Sequence, residues 1–282
     1  MTDQNLVQTL RTLRLSGIVD SLDVRLQEAM AASLNHREFL ELVLQDELLV
    51  RGDRQIARRV AQANFRDKRR LEDFDFSFNP SIKKTKIFEL ATCRFIHERR
   101  DLLMIGPPGT GKSHIVQAIG HAAIRHGLLV FYRSIFDVVR DFLKDEALEG
   151  YEKTLQRYLK PDLLIIDDMG MKQLPKRSGE YLFEVIMRRY ELRSTIMTSN
   201  RPLEDWGKLL GDVPSATAIL DRFLHRAEVI NITGRSYRLN DREENSKGTK
   251  APTAPVADEE TNKVSSKGAK APTAPKRSNQ AS

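Results

Sequence analysis

Gly106-Pro107-Pro108-Gly109-Thr110-Gly111-Lys112-Ser113 reads G-x-x-x-x-G-K-S without interruption. The apolar run 102–105 precedes it, and a helix-forming stretch, 113–126, follows. A strand, a glycine-rich turn and a helix N-terminus make an anion cradle, here spanning Gly106 to His114, because their backbone N–H groups point at phosphate oxygens. Lys112 reaches the β- and γ-phosphates of a nucleoside triphosphate, and the Ser113 hydroxyl ligates Mg2+. All four defining positions are filled and both flanks are right, which a chance glycine turn does not supply.

A second chemical cluster lies about 50 residues on. Leu163-Leu164-Ile165-Ile166-Asp167-Asp168 is an apolar strand ending in paired carboxylates. At the carboxyl end of a buried strand, Asp167 holds Mg2+, and Asp168 orients and deprotonates the attacking water. The next strand candidate, 194–198, runs into Ser199 and Asn200. Asn200 suits a sensor that hydrogen-bonds the γ-phosphate or the water, since parallel sheets place their sites at strand carboxyl ends. Asn200-Arg201-Pro202 is also good turn chemistry. Further on, Asp221-Arg222-Phe223-Leu224-His225-Arg226 precedes the last strand. Arg222 is either a finger that completes a neighbouring subunit's site or a surface helix arginine; these residues alone leave both open.

Strands alternating with helices must position these groups. Candidates at 102–105, 128–132, 163–167, 194–198 and 229–232 imply a parallel sheet with crossover helices over 76–239. Residues 1–75 read as helical. Leu40, Val43, Leu44 and Leu48 keep the spacing of a buried helix stripe, and Asn35 with Glu38 reads as a capping box. Val24, Leu26 and Met30 belong to an earlier helix after the Leu15-Ser16-Gly17 turn, and Gly52-Asp53 either breaks the later helix or is tolerated in it. From 240 to 282 the chain reads as a disordered tail, in which 246–255 recurs at 266–275 with one change.

The chain has 282 residues, a formal charge of +7, and a single cysteine, Cys93. One cysteine permits no internal disulfide, and a buried, inert thiol is expected. No apolar run is long enough to span a membrane, and the N-terminus lacks the regions of a secretory signal, which fits the cytoplasm. The charge favours a polyanionic partner. The tail's eight basic and six acidic residues account for little of it.

With these motifs in place, the chain resembles the IstB-like ATP-binding proteins of insertion sequences, helpers of transposases. These are AAA+ ATPases of the initiator and helicase-loader branch, related to DnaC and DnaA. Beyond the nucleotide motifs the resemblance rests on Leu13-Arg14-Leu15-Ser16-Gly17, Leu71-Glu72-Asp73-Phe74-Asp75-Phe76, Thr198-Ser199-Asn200, Asp221-Arg222-Phe223-Leu224-His225 and Gly234-Arg235-Ser236-Tyr237-Arg238. It implies ATP and Mg2+ as ligands and an α/β P-loop AAA+ core with strand order 5-1-4-3-2 behind a helical N-terminal domain. It also implies Asn200 as first sensor and Arg222 as the finger acting in trans. Two departures stand out. Asp168 replaces the glutamate of many relatives, which is expected to slow hydrolysis. The folded part ends just after the fifth strand, so no C-terminal lid domain is expected, and subunit contacts gain weight in closing the site.

Between 51 and 70, Arg51, Arg54, Arg58, Arg59, Arg66, Lys68, Arg69 and Arg70 face only Asp53 and Asp67. On a helix, Arg51, Arg54 and Arg58 fall on one face and Ile56, Val60 and Ala63 on another. Such a stripe suits DNA phosphates, although charge runs are often only solvated faces. The family, whose members assemble on duplex DNA, favours DNA. Arg133, Arg140 and Lys144 are weaker candidates near the stretch 134–153, where the resemblance to the initiator branch implies an additional helix. The function implied is an ATP-dependent helper that forms a homo-oligomer on duplex DNA and recruits or activates a partner transposase, hydrolysis driving release. A helicase loader of the DnaC kind is the alternative, and a purely structural dimerisation role for the N-terminal helices is a third.

Overall fold

Three helices open the chain. In the computed structural model, which describes residues 2–146 and 150–237, they are α1 (Thr2–Thr12), α2 (Ser16–Ala31) and α3 (His36–Ala63). Two short helices, α4 (Lys84–Ala91) and α5 (Arg94–His97), lead into the alternating part. That part runs β1 (Asp101–Ile105), α6 (Lys112–Arg125), β2 (Val130–Ser134), α7 (Ile135–Glu146), α8 (Tyr151–Leu159), β3 (Leu163–Met169) and α9 (Ser178–Arg189). It closes with β4 (Ser194–Ser199), α10 (Trp206–Leu210), α11 (Val213–His225) and β5 (Ala227–Asn231). The expected tail with its repeat, the expected absence of a lid, and Arg238 all lie outside the described residues.

The Asn35 side chain accepts the Arg37 and Glu38 N–H groups, and Glu38 reaches back to the Asn35 N–H, so the capping box starts α3 as its sequence directs. Gly52 is carried inside this 28-residue helix. α3 packs on α2 through Ile18, Leu22 and Val43, and buried Glu47 accepts N–H groups of Gly17 and Ile18 at the start of α2. A Cβ on Gly17 would lie 2.8 Å from the Glu47 Cα, so the two helices touch backbone to backbone there.

The buried stripe expected on α3 is not formed. Val43 is 3% exposed, but Leu40, Leu44 and Leu48 are 55%, 46% and 69% exposed. One helix covers only a narrow arc of its neighbour, and α2 takes the arc centred on Val43 and Glu47. The leucines lie on its flank and stay exposed. Val24 and Met30 of α2 are exposed as well.

The five strands form one all-parallel sheet, β2-β3-β4-β1-β5, which is the expected order read from its other edge. Alternate residues point to opposite faces. Leu102, Met104, Ile165 and Ile196 meet α6 through Ile115, Val116 and Ile119. Leu103, Ile166 and Met197 meet the second layer through Val185, Trp206, Ile219 and Phe223. Both faces being covered, the central strands read as continuous apolar runs.

Strand limits moved where turns intervene. β2 starts at Val130, two residues later than expected, because Leu128 N–H bonds back to Ala123 and Gly127 takes φ 84° to close α6. β3 extends through both aspartates to Met169, with a register shift after Ile166. β5 begins two residues early. Cys93 is fully buried, and burial pushes its thiol up to about 11.

At the start of β1, buried Asp101 accepts the Thr195 N–H at 2.6 Å. Burial, opposed by that bond and by Arg189 and Arg226, pushes its carboxyl up to about 7. The folded chain therefore keeps a proton that an ordinary carboxyl, titrating near 3.8, gives up. The stability from that proton is complete below the ordinary value and is lost as pH rises to about 7. Asp101→Asn should cancel this loss, so melting curves at pH 5 and pH 8 should fall further apart for the wild type than for the variant.

Candidate phosphate-loop and carboxylate site

The loop after β1 is tied down at both edges. Gly106 N–H donates to Ser199 O at 3.1 Å, and Ile232 N–H donates to Ile105 O at 2.7 Å. Gly109 (φ 80°) and Gly111 (φ 92°) occupy the left-handed region that turns the chain into α6. Space demands glycine as well. A Cβ on Gly111 would lie 2.5 Å from the Phe74 ring, and one on Gly109 would lie 2.1 Å from the Ser236 hydroxyl. Thr110 is buried and its hydroxyl donates to Pro107 O. Lys112, also buried, donates from Nζ to the Gly106 and Pro107 carbonyls at 2.7 and 2.8 Å. The N-cap of α6 is Gly111, which has no side chain to cap the helix, and a helix N-terminus of this kind suits an anion. Ser113 follows on that turn, and His114 Nε2 meets the Arg70 carbonyl at 2.7 Å while its ring meets Phe74 edge-on.

Asp167 is fully buried at the carboxyl end of β3. Its carboxylate accepts the Tyr132 hydroxyl at 2.6 Å from β2, the Thr198 hydroxyl from β4, and the Asp168 N–H at 2.9 Å. Burial first, and then the charge of Asp167, pushes the Tyr132 phenol far above its ordinary value, so it stays a donor. Asp168 adopts φ 66°, and its amide also donates to the Thr198 hydroxyl at 3.1 Å. Its carboxylate pairs with Arg66 at 2.7 Å. Among the described residues no group of three His, Cys, Asp or Glu side chains gathers to hold a metal. One hydroxyl and one carboxylate are the hard-oxygen pair that fits Mg2+ drawing its other ligands from phosphates and water.

Asn200 follows β4 directly, its N–H donating to Met169 O at 2.8 Å, at the same strand ends as Asp167 and the loop. Arg222 lies on α11, half exposed, 3.6 Å from Asp221 and over the Tyr190 ring, and these partners are not in its own chain's phosphate loop.

The basic run divides. α3 ends at Ala63 with Asn64 in the left-handed region, so Arg66, Lys68, Arg69 and Arg70 leave the helix and lie in the loop beyond. Arg51 pairs with Glu47, Arg54 reaches Ser16, Arg59 reaches the Gly127 carbonyl, and Arg69 pairs with Asp67. Arg58, Lys68 and Arg70 have side chains with no hydrogen bond or ion pair among the described residues. Arg133 and Arg140 pair with Asp141 and Asp137 on α7, which also carries Lys144. Sequence reasoning missed the tyrosine on Asp167 and the arginine on Asp168. Alternation along β2 places Tyr132 on the side of the sheet that faces α6, but nothing local marks Arg66 apart from its basic neighbours.

A sequence profile described as IstB-like ATP binding protein matches residues 8–245. The protein named as the ATP-binding protein of insertion sequence IS21 in Pseudomonas aeruginosa is 36% identical over 90% of this chain and 95% of its own length. Its counterpart from insertion sequence IS5376 of Geobacillus stearothermophilus is 35% identical over 82% and 92%. Among solved structures, AMPPCP-bound DnaA from Aquifex aeolicus superposes with a TM-score of 0.51 at 21% identity, over 66% of this chain and 57% of that one, a likeness of fold.

Tyr132→Phe removes one of three donors from Asp167. Mg2+-dependent binding of a fluorescent ATP analogue should then need about 10-fold more Mg2+, with Mg2+-independent binding little changed.

Proposed function

The chain belongs to the IstB-like ATP-binding protein family, and from that footing we propose that it hydrolyses ATP with Mg2+ and, while ATP is bound, assembles as a homo-oligomer on duplex DNA. The oligomer recruits or activates a partner transposase at the target site, and hydrolysis releases it. The observation that carries this reading is the placing of a complete phosphate loop beside Asp167 and Asp168 at one end of a parallel sheet. The insertion-sequence relatives, at 35% and 36% identity, support this reading over a helicase loader.

Each residue then has a task. The amides from Gly109 to His114 take phosphate oxygens, and Lys112 gives up the loop carbonyls for the β- and γ-phosphates. Ser113 and Asp167 hold Mg2+, which neutralises charge on the phosphates when bound. Asp168 takes the proton of the attacking water, and Asn200 holds that water or the γ-phosphate in line. Arg222 of one subunit reaches the γ-phosphate held by the next. Its half-exposed place supports this task. Asp168 is one methylene shorter than glutamate and must draw the water closer, so turnover is slow.

The helical region 1–75 and the ATPase region 76–239 divide the work, the first meeting DNA and the partner. DNA contact falls to Arg58, Lys68 and Arg70 before the rest of the basic run, because Arg51, Arg54, Arg59 and Arg69 already have intramolecular partners. No base-reading motif accompanies them, so affinity is set by phosphates and by salt. Among the described residues no helix is long and apolar enough to cross a membrane.

Lys112→Ala should abolish ATP binding and ATP-dependent assembly; tight ATP binding by this variant in calorimetry would remove the site. Asp168→Asn should bind ATP normally and turn over about 100-fold more slowly, so that assemblies on DNA persist in negative-stain images. Neutralising Arg58, Lys68 and Arg70 together should lower the slope of log affinity against log salt by about 3 in duplex titrations.

A further inference from the structure

The loop between α3 and β1 is fixed to the ATPase core by its backbone. Arg66 and Asp67 both donate their N–H groups to Gln117 Oε1 at 3.1 Å, and Gln117 is buried within α6. The Phe65 ring lies where a Cβ on Gly120 would come within 2.7 Å, and it also meets His121 and Tyr132. From this anchor the Arg66 guanidinium extends to Asp168 at 2.7 Å and lies 6.0 Å above Tyr132, the donor to Asp167. Its side chain is 49% exposed, against 17% for Asp168. The guanidinium therefore has surface left for a second anion.

The same loop carries cations toward a different ligand. Lys68, Arg69 and Arg70 line a groove between α3 and α6 together with His121 and Arg125, over a floor of Ala57 and Val60, with Asp67 paired to Arg69 at its side. Burial, opposed by the bond to the Asp67 backbone and helped by the charges of Arg125, Arg70 and Lys68, holds the His121 imidazole below its ordinary value. Such a groove seats the phosphates of a nucleic acid backbone. Two residues before Lys68, the chain holds the carboxylate on which hydrolysis depends. A half-exposed ion pair is weak, which makes it easy to exchange for a phosphate contact.

We propose that Arg66 is a positioning residue through which duplex DNA controls hydrolysis. Without DNA it holds the Asp168 carboxylate in an ion pair and keeps it from the attacking water. A DNA backbone running from the α3–α6 groove past Arg66, which lies two residues before the groove's Lys68, presents a phosphate that takes over the guanidinium, and Asp168 turns to the water. The inference rests on the reading of Asp168 as the base and of the basic loop as a DNA contact. It goes further in making one arginine the link between the two sites.

The test is steady-state ATP turnover by the full chain, with and without random-sequence duplex DNA at low salt, for the wild type, Arg66→Ala, Arg66→Gln and Arg66→Lys. DNA should stimulate the wild type about 5-fold or more. Arg66→Ala and Arg66→Gln should start near the stimulated kcat, with KM for ATP little changed, and gain nothing further from DNA. Arg66→Lys, which keeps the charge, should restore dependence on DNA. Wild-type turnover indifferent to DNA, or wild-type behaviour of Arg66→Ala, overturns the proposal. So does a fall in kcat or a rise in KM in both Arg66→Ala and Arg66→Gln, which would place Arg66 on the ATP phosphates. Asp168→Asn assayed beside them separates the two levels. If it turns over normally, the assignment of the base fails; if it is inactive and Arg66→Ala is unaltered, only the link to DNA fails.

Discussion

A fully buried carboxylate, Asp167, sets the terms for the rest of the molecule. Burying it without partners would cost several kcal/mol, so three donors must be built around it. One is its neighbour's amide; the other two are hydroxyls that only adjacent strands can deliver, Tyr132 from β2 and Thr198 from β4. β3 must therefore lie between those strands and run parallel to both, so that the three carboxyl ends coincide. With β1 next to β4, the phosphate loop arrives at the same edge, where Gly106 is bonded to the last carbonyl of β4. Sheet order and site are thus one solution to a single electrostatic demand.

Around this centre the segment from Phe65 to Phe76 works as a strap. It lies along α6 and meets that helix and the loop before it at successive points: Phe65 on Gly120, Arg70 on His114, Phe74 on Gly111. At the far end of the folded core, Tyr237 N–H donates to the Gly109 carbonyl and its ring meets Phe78. The glycine-rich loop is thereby held by chain from both sides.

The N-terminal helices follow a looser logic. α2 and α3 are joined by a small apolar cluster and a buried glutamate, and the leucines on the flank of α3 stay in solvent. Hydrophobic spacing reports that a helix has an apolar arc, but how much of the arc is covered depends on what packs there. The basic run shows a similar divide. Its charges are plain in the sequence, while their neighbours are set by distant residues: Arg59 by the Gly127 carbonyl, Arg66 by an aspartate 102 positions away.

The amino-acid sequence alone determined the chemistry that rests on short spacing. The phosphate loop, the paired aspartates, the α3 capping box and the alternation of strands with helices were all legible, because backbone geometry links residues within a turn or a strand without help from the fold. Resemblance to a family supplied the strand order. Tertiary structure decided which groups share a hydrogen bond or a charge: the two hydroxyls on Asp167, the arginine on Asp168, the turn that delays β2, and the exposure of the α3 leucines. Those outcomes depend on separations in space between segments far apart in the chain, and no local periodicity encodes them.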